Sequence, residues 1–144
     1  MKKHAALFLT LICLAIGAGA QTKQPGRAAY PEARKLYDAL EKPLNRTMLW
    51  EKTTQPQRVE AVKIATELRD RTYKLWGDFS QCSMAAESNL NFVISINQIA
   101  FSSQSGSQLR PYDMLRAIRE AEEFGNHRAA CYDYVEALDT VAKK

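Results

Sequence analysis

The chain has 144 residues, 46% of them hydrophobic, and 20 Lys and Arg against 16 Asp and Glu. That length gives one domain with a core of its own, and a formal charge of +4 is too small to set up a strong field for an anionic polymer. Three cysteines and two histidines, widely spaced, lack the spacing of a structural zinc site and the parts of a Ser-His-Asp triad.

The N-terminus begins Met1-Lys2-Lys3-His4, continues with an apolar run from Ala5 to Ile16, and closes with Gly17-Ala18-Gly19-Ala20 before Gln21. This is the order of a secretory signal: basic region, short apolar region, small-residue cleavage site. The run is too short to span a bilayer. Cys13 follows Ile12 rather than a small residue, which argues against lipid attachment. Residues 1–20 are therefore expected to be removed, leaving Gln21 at the start of a periplasmic or secreted chain with no stable membrane anchor. Beyond residue 20, 18 basic residues face the 16 acidic ones. Residues 21–29, with Pro25-Gly26, are expected to be a flexible leader, and 30–144 a single helical domain.

Pro31 has the place of a first helical residue, with Glu32 behind it. Ala33, Leu36, Tyr37, Leu40 and Leu44 recur at helical spacing until Pro43 ends or kinks the segment near Glu41. Leu44 to Lys52 reads as a short amphipathic continuation. Thr54-Gln55-Pro56-Gln57 has the form of a capping box. The helix it opens is expected to run as one stripe through Ala61, Ala65, Leu68, Thr72, Leu75, Phe79, Cys82 and Ala86, with Gly77 marking a kink or close packing. Glu67 with Arg71, and Glu60 with Lys63, form favourable pairs on its polar face.

Asn89 to Phe101 is apolar on most sides and rich in β-branched residues. Its length and the lack of a partner strand favour a buried helix. Ser102 to Gln108 is expected to be a flexible loop. Pro111 restarts a helix that turns Leu115, Ile118 and Ala121 inward. Phe124-Gly125-Asn126 looks like a stop and restart, and the last helix carries Cys131, Tyr134, Val135, Leu138 and Val141 on one stripe. The expectation is an all-α antiparallel bundle of about five helices.

In an exported chain Cys82 and Cys131 form the expected disulfide, worth about 4 kcal/mol in the chain-entropy picture. No metal or cofactor is expected. Ala85-Ala86-Glu87-Ser88-Asn89-Leu90-Asn91 resembles the glutamate-serine motif of lysozyme-like lytic transglycosylases. That resemblance implies a peptidoglycan-cleaving enzyme in which Glu87, at a helix end in an apolar pocket, is the general acid. The Gly-Leu-Met-Gln segment of that family does not follow. His127 with Met48, Met84 or Met114 would be the axial set for haem in a helical bundle. Neither G-x-S-x-G nor H-E-x-x-H occurs, and Arg69, Arg71 and Lys74 are interleaved with Glu67 and Asp70, as on a solvated face rather than a nucleic-acid stripe.

Binding to another exported or envelope protein is the leading expectation, as an inhibitor or immunity-type protein acting on an envelope or cell-wall enzyme. The residues expected to make it are Trp50, Ser105, Gly106, Arg110, Tyr112, Arg116 and Tyr132. Trp76 and Tyr134 belong to the core.

Overall fold

The computed structural model describes residues 29–40, 42–43, 50–77, 80–108 and 110–143. The expected signal, most of the leader, and the segment Leu44 to Leu49 with Met48 lie outside them. Among the described residues there are four α-helices and no strand: α1 (Tyr30–Ala39), α2 (Gln55–Trp76), α3 (Gln81–Gln104) and α4 (Pro111–Ala142), with a single 3-10 turn at Trp50–Lys52. No helix among them is long and apolar enough to cross a membrane.

Local chemistry sets the starts. Pro31 and Pro111 stand in the first turns of α1 and α4, where a missing N–H costs nothing. The capping box at Thr54 is formed, the Gln57 side chain accepting from the Thr54 N–H at 2.8 Å and the Thr54 hydroxyl accepting from the Gln57 N–H.

The helix count differs from the expected five for two reasons. The long stripe through Ala86 is broken at Gly77, whose φ of 79° and ψ of 174° are open essentially to glycine alone. Ser80 then caps α3, its hydroxyl accepting from the Ser83 N–H at 3.1 Å. Cys82 and Ala86 therefore belong to α3, which also absorbs the Asn89–Phe101 stretch. That stretch is apolar on most sides because α3 lies between α2 and α4 and is covered from both. Conversely, the expected break at Phe124-Gly125-Asn126 does not occur. α4 runs through it, because Phe124 and Cys131 are buried one heptad apart against α3, while Gly125 and Asn126 face outward and are spectators.

Two further expectations are corrected. Leu115 and Ile118 point outward, and the buried positions of this half of α4 are Ala117 and, in part, Ala121. α3 fills this level with Phe92, Ile96 and Ile99, so α4 must present small residues there and its large ones are displaced to the surface. At the far end Val141 is exposed rather than on the buried stripe.

The core has two parts. Near the disulfide, α1 joins the other three helices around Leu36, Tyr37, Leu40, Trp76, Phe124 and Val135. At the opposite end only α2, α3 and α4 contribute, around Ala61, Ala65, Leu90, Val93, Ile96 and Ala117. With ten residues, α1 is about 15 Å long against about 48 Å for the 32 residues of α4. It is pinned antiparallel to α4 by Arg34 to Glu136 at 2.8 Å and by the Tyr37 and Tyr132 rings, 5.7 Å between centroids. The sulfurs of Cys82 and Cys131 stand at bonding distance, 2.06 Å, with their Cα atoms 4.7 Å apart.

Candidate functional site

The end of the bundle distal to the disulfide carries the candidate surface. α3 stops at Gln104, with Gly106 in the left-handed region at φ 68°. The Ser107 N–H donates to the Ser102 carbonyl at 3.0 Å and the Gly106 N–H to that of Ser103 at 3.4 Å. This is a Schellman end, reinforced by the Ser105 hydroxyl on the Ser102 carbonyl at 3.1 Å. The expected flexible loop is therefore a helical end for Ser102–Gln104 and then a short, internally bonded turn.

Arg110 occupies the N-cap position of α4 and grips the Asp113 carboxylate with two bonds of 3.0 and 3.1 Å. Asp113 in the first turn complements the helix dipole. Beyond it, Tyr112, Leu115, Arg116, Arg119, Glu120 and Glu123 line a groove of about 430 Å³ along α4. Tyr112 and Leu115 are 69% and 65% exposed. Arg119 is held to Glu123 at 2.9 Å. Burial, then the neighbouring Glu123 carboxylate, raises the Glu120 pKa, opposed by Arg116, a hydrogen bond to Asn91, and Arg119.

Of the seven residues singled out from the sequence, Ser105, Gly106, Arg110, Tyr112 and Arg116 fall in this one region. Tyr132 lies at the other end of α4, against Tyr37, whose ring also receives the Arg34 and Arg128 guanidinium groups at 5.7 and 4.7 Å. That cluster fastens α1 to α4. Trp50 opens the 3-10 turn, and its side chain lies outside the described residues. Sequence reasoning missed Leu115 as a groove residue. The seven-residue spacing of Ala117, Phe124 and Cys131 was the available signal that the buried stripe avoids it.

A second concavity, about 440 Å³, sits at the start of α2, lined by Thr53, Pro56, Gln57 and Glu60. Thr54 and Gln57 are already engaged there by the capping box.

Glu87 is the seventh residue of α3, far from either helix end. Its carboxylate accepts from the Tyr73 hydroxyl at 3.0 Å and stands 4.0 Å from the Arg69 guanidinium, on the α2–α3 seam and away from both concavities. Asn89, within the same stretch, is buried and donates its amide N–H to the Leu40 carbonyl, fixing the end of α1. Ala85, Ala86 and Leu90 of the same stretch are in the core between the helices. His127 lies in the middle of α4, its Nδ1 2.7 Å from the Gln81 side-chain oxygen. Met114 is 13 positions, about 20 Å of helix, from it, and Met84 is on the surface. Among the described residues no three His, Cys, Asp or Glu side chains converge on a metal position.

Comparison with protein-family models, with curated proteins and with solved structures finds no match for this chain.

Proposed function

We propose that this chain is an exported, non-enzymatic protein that binds another secreted or envelope protein through the groove on the N-terminal half of α4, in the manner of an inhibitor or immunity-type protein. The carrying observation is the composition of that groove: an exposed tyrosine and leucine, two arginines and two glutamates on one rigid helix beside a capped turn. Tyrosine and arginine are the side chains that centre protein interfaces. A surface already ordered by a helix and a Schellman end has little conformational entropy left to lose on binding.

Export is supported by the order of residues 1–20, and a cysteine pair at bonding distance suits an oxidising compartment. A photoreactive side chain at position 112 tests the groove. It should capture a discrete protein in an envelope extract, and the capture should vanish when Arg116 and Arg119 are both changed to Glu. No capture, or capture indifferent to the two arginines, contradicts the reading. Intact mass of the protein from the envelope fraction should begin at Gln21, and a retained Met1 would refute export by this signal.

A further inference from the structure

Two carboxylates, Glu120 and Glu123, line the groove on α4. Glu123 is held by Arg119 at 2.9 Å, and Arg110 at the start of the helix is likewise engaged by Asp113. Glu120 forms no ion pair with a described residue. Its carboxylate accepts a hydrogen bond from the Asn91 amide of α3, and Arg116 and Arg119 act on it through space. Glu120 is half-buried, whereas Tyr112, Leu115, Arg116 and Arg119 around it are exposed. The groove thus has exposed apolar and cationic sides over a carboxylate that still relies on solvent.

A protein seated across Tyr112 and Leu115 takes that solvent away, and desolvation penalises the charged form of Glu120. A cation from the partner would answer the charge, but it would have to enter between Arg116 and Arg119, which repel it. Leaving the carboxylate covered and unpaired is costly, the more so with the Glu123 charge beside it. Taking up a proton removes both costs and leaves a carbonyl oxygen that still accepts from Asn91.

We infer, on the reading that this groove is the binding surface, that the complex holds a proton on the Glu120 carboxyl which the free chain releases, so that acid favours occupation of the groove. In the free chain burial first and Glu123 second already raise the Glu120 pKa, against Arg116, the Asn91 hydrogen bond and Arg119. These are the charged and hydrogen-bonding groups that face it, Asn91 from α3 and the rest from α4. Covering the groove adds to the leading cause, burial. A group whose pKa rises on binding takes up a proton, and affinity then grows as pH falls through the two values. His127, the one histidine beyond residue 20, is bonded to Gln81 and does not line the groove.

Photocapture through position 112 from an envelope extract, repeated from about pH 8 to about pH 5, spans the range in which a raised carboxyl titrates. Capture of one discrete protein should rise toward acid, by at most about tenfold per pH unit, the limit for a single proton. Glu120→Gln, which is neutral at every pH, should capture at the alkaline end as well as the parent does at the acid end, and its pH dependence should be lost. His127→Gln should keep the parent's pH dependence. Capture that is flat with pH or falls toward acid overturns the inference and leaves the groove standing, as does a pH dependence unchanged in Glu120→Gln. No capture at any pH by parent or variant contradicts the groove itself, and the proton site with it.

Discussion

Arg58 is 1% exposed, yet among the described residues its guanidinium meets neutral acceptors: the Thr53 carbonyl and hydroxyl, and the Gln104 side-chain oxygen at 3.2 Å. It ties the start of α2 to the end of α3, and its Nε has no partner. Losing charge-assisted bonds in a buried site is costly, so Arg58→Ala should destabilise the fold by about 2–3 kcal/mol. Arg58→Met, which refills the volume without the charge, should cost less. Urea denaturation separates the two. Glu120 makes the opposite kind of prediction. Its pKa is raised in the fold by burial first and by Glu123 second. The native state then holds the proton more tightly than the unfolded chain, so the favourable contribution is complete in acid and is lost as pH rises through the folded pKa. Glu120→Gln should therefore be the more stable protein at pH 7, with the difference closing as pH falls toward the unfolded carboxyl value of 4.5. Thermal melts at a series of pH values read this directly, and a constant difference would contradict the assignment.

Two glycines with similar sequence surroundings behave in opposite ways at the scale of the element. Gly77 ends α2 in a conformation that L side chains avoid, so Gly77→Ala should cost about 1–3 kcal/mol. Gly125 sits inside α4 with open space around it, so Gly125→Ala should stabilise the fold by up to about 1 kcal/mol. Denaturation at low protein concentration checks both signs. The sequence around each contains the residues of a stop signal, and only one is used. Ser80 and Ser83 offer a new cap after Gly77, whereas after Gly125 the stripe of Phe124, Cys131 and Val135 continues in phase against α3. Burial of that stripe outweighs the propensity of one glycine and one asparagine. The same competition explains why Asn89–Phe101 is ambiguous in sequence. A helix covered on two sides loses the alternation by which helices and strands are told apart.

For the whole molecule, the disulfide joins α3 to α4 at the end where α1 adds a fourth helix, and the opposite end relies on three helices alone. Replacing both Cys82 and Cys131 by Ser should lower stability by about 4 kcal/mol, less whatever strain the bond relieves. The loss should appear as earlier unfolding of the whole bundle in denaturant. This asymmetry also locates the candidate surface. Tyr112, Met114, Leu115 and Ile118, four of the exposed large apolar side chains of α4, lie in its half beyond the reach of α1, and the groove and the turn adjoin them. Five of the seven residues expected to bind are brought together by being close along the chain, from Ser105 to Arg116. Tyr132 is not one of them, because its role depends on Tyr37, 95 positions away.

Helicity, the proline and Thr54 helix starts and the pairing of the two cysteines beyond residue 20 follow from the sequence alone, because each depends on neighbours within a few residues or on there being one possible pairing. The tertiary structure decided which glycine breaks a helix and which face of α4 is buried. Both depend on what α3 and α1 place opposite, and local sequence carries no record of that. Leu115 and Ile118 are as apolar as any core residue, and they are outside because Phe92, Ile96 and Ile99 already fill the space within.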